Sequence, residues 1–423
     1  MQTLEVRRHS RPFYGWVVAG ACFLMIFITL GFCSSTKGLY LAAITEDLGI
    51  PRSLFSLNDS CRFVTTAIVN LFFGQLVLKL GSRKMIFFGF LSLILACLIY
   101  SLADSILLFC LGGCLLGLGF AWTGTSLVGY LVERWFTKSK GTVMGAILAA
   151  NGLGGAVASQ IVSPIIYGAR QDGWRVSYRI TTLILTAAGI LIVLLIRSRP
   201  SDVGQEPLGQ DKPGKASRGS NWEGMILPEA RKKPYFYSGL VCIFFTGLIL
   251  QSATSISSAH MKDVGLDPAF VATVVSVHSL CLAASKTAAG FSFDHLGLRR
   301  TVLICNFCAM AAMLLLAYVS SNAMALVYGV LSAFALPLET VMLPLIALDL
   351  FGRAAYSRIM GLFISCNVAG YAVGAPLVNY IFDRTGSYRR ILLVLAALML
   401  AVAVAMQLTV SAAHRDRQGL GQG

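Results

Sequence analysis

Apolar runs of about 20 residues, the length at which a helix crosses a bilayer, recur twelve times. They begin near Gly15, Leu54, Lys84, Ile106, Gly141, Ser177, Phe236, Ala269, Arg300, Ala323, Ser357 and Arg389. Most are separated by short loops carrying Gly, Pro or charge, such as 47–51 and 81–84, so consecutive spans are expected to be antiparallel neighbours. The one long polar stretch, 197–234, is rich in Gly, Pro, Lys and Ser and poor in core-forming residues. It reads as a cytoplasmic linker between a six-helix bundle at 1–196 and a second at 235–423.

The two halves repeat one another at a single constant offset, without a gap. Gly74, Gly81 and Arg83 fall on Gly290, Gly297 and Arg299; Asp47 and Gly49 fall on Asp263 and Gly265. Glu133 falls on Asp349, and Gly145, Asn151 and Gly154 fall on Gly361, Asn367 and Gly370. The expected fold is therefore an all-α membrane protein of twelve transmembrane helices in two pseudo-symmetric six-helix bundles. Bundles repeated in this way are related by an axis along the membrane normal and place a solute site near the midplane between them.

Composition narrows the class. Of 423 residues, 56% are hydrophobic and 13% charged, about half the charged fraction of a soluble domain, which excludes a soluble globule. All eleven cysteines lie inside apolar runs at irregular spacing, as small packing residues do, not as a disulfide framework. The net charge of +15 comes from short basic clusters between spans, so the partner is a lipid bilayer and not nucleic acid. Placing the N-terminus in the cytoplasm puts 23 of the 34 Lys and Arg on the inner side and 8 on the outer, with Lys37, Arg62 and Lys286 inside spans. Both termini are thus expected to be cytoplasmic, in a plasma (inner) membrane. The first span is too long for a signal-peptide core and lacks an Ala-x-Ala site, so it is expected to stay attached.

The loop after the second span carries Gly74, Leu78, Gly81, Arg83 and Lys84, and its counterpart after the eighth carries Gly290, Asp294, Gly297, Arg299 and Arg300. A glycine at the helix end, an acid four residues later, a turn glycine and a basic pair resemble the cytoplasmic signature of the major facilitator superfamily, with Leu78 replacing the acid in the first copy. The resemblance implies a cytoplasmic gate. Its loop acid and arginine hold the ends of neighbouring helices and latch the outward-open state, completed by an acid ending span four or ten. Here that assigns Gly81, Arg83 and Glu133 to one copy and Asp294, Arg299 and Asp349 to the other. Pairs at the headgroup edge contribute only about 1 kcal/mol each, which suffices to bias a two-state equilibrium.

Tyr14, Gly15 and Trp16 open the first span, Gly31 and Phe32 precede Lys37, and Trp135, Phe136, Lys138 and Lys140 lead into Gly141, Gly145, Asn151, Gly154 and Gly155. This pattern, close over 14–175, is similar to the monocarboxylate transporter family and its bacterial oxalate–formate relatives. Gly141, Gly145 and Ala149 recur every fourth residue and are expected to form a groove for a neighbouring helix.

A charge at membrane depth is costly and persists where a pathway or partner uses it. Lys37, Arg62, His278, Lys286 and Glu339 are the candidates. The resemblance implies that Lys37 and Lys286 form a basic substrate clamp, standing where the family places a span-one lysine and a span-eight arginine. Leu282 stands where the family has an acid, and Lys cannot grip a carboxylate in the bidentate way of Arg. Arg62 and His278 are repeat counterparts at equal depth, expected to face solute; Asp59, three residues before Arg62, is an alternative local partner, and a bundle hydrogen bond is the alternative for His278. Glu339, between Pro337 and Pro344 in a loosened helix, either carries a coupling proton or balances Lys286. With Asp59 counted as surface, Lys37, Arg62 and Lys286 exceed Glu339 by two charges, which a carboxylate solute would offset.

Cys305 and Cys308 lack a second ligand pair for a metal, and no nucleotide-binding or hydrolase motif occurs. No catalytic residue, metal or cofactor is expected. The function read from the chain is secondary transport of small organic anions, monocarboxylates foremost, by alternating access driven by proton symport or anion exchange, in a protein working as a monomer. Efflux of drugs or other lipophilic solutes is the alternative within transport; a non-transporting receptor is the alternative from another class.

Overall fold

In hydrocarbon no water satisfies backbone N–H and C=O groups, so each spanning segment must close its own hydrogen bonds. The computed structural model, which describes residues 13–136, 140–168, 172–208, 225–352 and 356–420, meets that constraint with helices almost throughout. The spans are α1 (Gly15–Leu48), α2 (Arg52–Leu71 continued by Phe73–Leu80 across a 66° bend), α3 (Ser82–Leu102), α4 (Ile106–Trp135), α5 (Val143–Tyr167) and α6 (Gly173–Leu195). They continue as α7 (Pro234–Asp263), α8 (Pro268–Phe293), α9 (His295–Ala317), α10 (Asn322–Thr340), α11 (Ile359–Thr385) and α12 (Arg389–Arg417). Among the described residues, eleven qualify as single helices and α2 as a bent pair, which accounts for the twelve apolar runs.

The helices form two pseudo-symmetric six-helix bundles, and backbone geometry reproduces the sequence repeat. Gly81 and Gly297 both have φ 77°, with ψ 155° and 169°, where each loop turns into the next helix. Only glycine adopts that conformation without strain. The bundles meet along α2 against α11 and α5 against α8. There the Ser60 hydroxyl donates to the Ala372 carbonyl, and its repeat counterpart Ser276 donates to the Ala156 carbonyl at 2.9 Å. Two serines in equivalent positions thus make one contact twice.

The described ends of 197–234 are held against both bundles. The Leu208 N–H donates to the Trp135 carbonyl and the Met225 N–H to the Phe351 carbonyl, both at 3.0 Å, with Pro200, Met225 and Ala230 buried. Trp135 and Phe351 are themselves repeat counterparts, so the segment is tied to equivalent helix ends of both bundles. Residues 209–224 lie outside the described residues.

Close packing fixes α2. A Cβ at Gly113 would stand 2.2 Å from the Asn58 carbonyl oxygen, and one at Gly117 2.4 Å from that of Arg62. Gly145, expected in a packing groove, instead has nothing within 4 Å of an added Cβ; on α5 the close approach comes later, at Gly152 and Gly154, against the Ser279 and Phe27 carbonyls. The physical reason is that helices touch only over the part of their length where they cross. Gly117→Val should therefore cost about 1–3 kcal/mol through overpacking and lower the melting temperature of the detergent-purified protein, while Gly145→Ala leaves it unchanged. Equal melting of both variants would mean that α4 does not rest on α2 at this distance.

Candidate solute site

Two helix interruptions prepare the site. A π-helical turn, Gly31–Ser35, breaks α1 just before Lys37; such turns widen the backbone and collect at functional positions. In α10 the short turn Pro337–Thr340 carries Glu339 and is followed by a new helix at Met342–Phe351, as the flanking prolines predict. Between the bundles lies a cavity of about 240 Å³. Lys37, Arg62, His278, Lys286 and Glu339 all line it, together with polar groups that include Asn151 and Thr254.

Their surroundings differ. Asp59 is 4% exposed and forms ion pairs with both Lys37 and Arg62, the Arg62 Nε lying 3.3 Å from its Oδ1. The Arg62 guanidinium also lies 4.1 Å over the Phe63 ring and 5.5 Å from that of Phe120. Treating Asp59 as a surface residue is thus corrected. Helix α2 is packed by α4 on one side and α11 on another, and Asp59 meets Arg62 one turn on in the same helix and Lys37 across on α1. Three cations then meet two acids, an excess of one positive charge where the sequence suggested two.

His278 Nδ1 lies 2.8 Å from Ser332 Oγ and 3.2 Å from the Gly329 carbonyl oxygen, which orients the ring against α10. Lys286 makes no ion pair or hydrogen bond among the described residues, although it stands in the cavity wall. Glu339 Oε1 is buried without a hydrogen-bond partner, and Tyr371 of α11 lies against the same carboxyl. Glu339 and Lys286 share the cavity without forming an ion pair within 4.0 Å among the described residues.

On one face of the protein Arg52, at the start of α2, crosses between bundles. Its guanidinium donates to Asp263 at 2.5 and 2.8 Å and to the Tyr388 hydroxyl at 3.3 Å, and lies 4.2 Å over the Phe382 ring. The backbone N–H groups of Arg52 and Ser53 donate to Asp383 at 3.0 and 2.9 Å, so a carboxylate from α11 caps α2. Lys262 pairs with Glu46 at 2.7 Å. Sequence reading missed this network because Arg52 and Lys262 looked like ordinary loop cations. The available signal was Asp263, repeat counterpart of Asp47, whose carboxylate takes a different partner, the Trp174 indole, at 2.9 Å.

The gate candidates lie on the opposite face and stay within their own bundles. Arg83 Nε donates to the Val193 carbonyl at 2.9 Å and Arg299 Nε to Gln407 Oε1 at 2.8 Å. Asp349 accepts from His414 at 2.7 Å and contacts Arg417, while Glu133 is exposed. Gly81 supplies the turn already described; the side chain of Asp294 lies outside the described residues, as do Lys138 and the side chain of Lys140. Among the described residues these groups form no ion pair between bundles, so inter-bundle charge pairing sits on the Arg52 face.

A sequence model of the Major Facilitator Superfamily matches residues 22–260 and 239–422. The chain belongs to the major facilitator superfamily. Among superfamily relatives it is similar to Monocarboxylate transporter 13 of Bos taurus, 24% identical over 396 residues that cover 92% of this chain and 87% of the relative. It is also similar to the MFS-type transporter YcxA of Bacillus subtilis, 26% identical over 62% of each chain. Its fold is that of the nucleoside transporter NupG (TM-score 0.74, 12% identity, 94% of this chain and 98% of that one). The same holds for a bacterial homolog of the human lysosomal transporter Spinster in an inward-facing, unoccupied conformation (TM-score 0.73, 13% identity, 96% and 99%). As a superfamily member the protein is a multi-pass membrane transporter.

If the Arg52 network closes its face, Arg52→Met should open it. A cysteine placed at Thr254, in a background without other accessible cysteines, is expected to react with an impermeant maleimide added from that face about tenfold faster in the variant, a shift of roughly 1.4 kcal/mol. An unchanged rate would remove Arg52 from the closure.

Proposed function

We propose that this superfamily transporter carries small organic anions of the monocarboxylate class by alternating access. The observation that supports the reading most directly is Lys286, a cation in the wall of a cavity between the bundles with no protein partner among the described residues. A carboxylate is the group that would satisfy it, and Lys37 and Arg62 bring further positive potential to the same space. The similarity to a protein named a monocarboxylate transporter points the same way. In this proposal the bundles 1–196 and 235–423 rock about the cavity, joined by 197–234, with both termini in the cytoplasm of the plasma (inner) membrane and one chain sufficing for function. The Arg52 face is then external, and the Arg83 and Arg299 loops form the cytoplasmic gate that latches when the outer face opens. Glu339, with an unsatisfied buried carboxyl oxygen, carries the proton that drives symport; anion exchange is the competing source of drive.

Uptake of radiolabelled carboxylates into proteoliposomes, with and without an inward proton gradient, tests the proposal. Lys286→Ala is expected to reduce uptake of the preferred anion about 10- to 100-fold, the value of a charged hydrogen bond of roughly 1.5–3 kcal/mol, and Lys286→Arg to retain it. Normal uptake by Lys286→Ala would sink the clamp. Glu339→Gln is expected to transport without responding to the gradient; a full response would leave Glu339 as a counter-ion of Lys286. Preference for lipophilic cations over carboxylates would replace the whole reading with drug efflux.

A further inference from the structure

Asp59 is absent from the cavity wall, yet it touches two of the three cations that form it. It lies behind Lys37 and Arg62, 4% exposed, and holds both from the side away from the space a solute would fill. Packing does not demand a carboxylate there. Its repeat counterpart on α8 is Val275, and the counterpart of Arg62 is His278, so at this repeat position the first bundle has an acid where the second has none. We infer that Asp59 is a specificity-determining residue: by neutralising one of the Lys37 and Arg62 charges from behind, it leaves the cavity a single excess positive charge and selects monoanions over dianions. This rests on the anion-carrier reading and deepens it.

The physics is that of a low-dielectric wall, in which a charge at contact distance sets the potential the solute meets. With Asp59 present and Glu339 ionised, as it is before a proton is taken up, one carboxylate brings the site to neutrality. A second carboxylate on the same solute would be a buried charge without a partner, which is heavily penalised. Removing the Asp59 charge frees one further cation and should admit that second group. Because Lys37 belongs to the wall and Asp59 to the layer behind it, changing either one alters the excess charge in opposite directions.

The test is uptake of labelled formate, lactate, oxalate and malonate by proteoliposomes at neutral pH, where all four are ionised. Wild type is expected to favour the better monoanion over the better dianion about tenfold. Asp59→Asn should lower that ratio at least tenfold, Asp59→Glu should keep it, and the double variant Lys37→Met/Asp59→Asn should restore it. Lys37→Met alone should raise the ratio, which keeps the proposal open to refutation if Asp59→Asn does not fold. A folded Asp59→Asn protein with wild-type preference overturns the inference, as does a double variant that keeps the altered preference of Asp59→Asn, or a wild type that prefers dianions. Uptake of none of the four by wild type would instead overturn the anion-carrier reading.

Discussion

An ion at membrane depth is tolerated only if something nearby offsets the loss of water. In this protein the offset is unequal on the two sides of the cavity. Asp59 compensates Lys37 and Arg62 through ion pairs, whereas Lys286 and Glu339 share the same space without pairing. The first arrangement holds α1 to α2 but, with one acid for two cations, keeps one positive charge in excess. The second is incomplete, and a site with an unmatched cation and an unsatisfied carboxyl oxygen is suited to a solute that arrives carrying charge, and to a proton.

The duplicated frame makes this inequality visible. Repeat counterparts share backbone conformation at Gly81 and Gly297 and share the inter-bundle contact at Ser60 and Ser276. Against that background Arg62 stands opposite His278, and Asp59 opposite Val275. Symmetry in the backbone with asymmetry in the charges lets two equivalent bundles close around one site from both sides while presenting different chemistry to what lies between them. The Arg52 network is asymmetric in the same sense. The carboxylates hydrogen-bonded to Arg52, Asp263 and Asp383, come from α7 and α11 in the second bundle, whereas Arg52 belongs to the first.

Regular features with short periods were readable in advance. Span number, the repeat and the turn glycines follow from hydrophobic length and from residue types that only certain backbones accept. The five membrane-depth charges could be singled out because burial there is expensive for any fold, and the structure brings all five to one cavity. The Gly145 stripe shows the limit of such reading. Small residues at helical spacing permit a close approach without saying where a neighbour crosses, and the neighbour crosses later, at Gly152 and Gly154.

By itself, the sequence determined that this chain fills a bilayer with two copies of one six-helix plan and singled out five of the ionisable groups it carries into the lipid, though not Asp59, because desolvation penalises those residues wherever they lie. Only the tertiary structure decided which charges meet. Pairing depends on helix rotation and crossing: α2, seated against α4 and α11 through Gly113, Gly117 and Ser60, turns Asp59 inward to Lys37. No local periodicity encodes that rotation, since it is set by contacts between helices far apart in the chain.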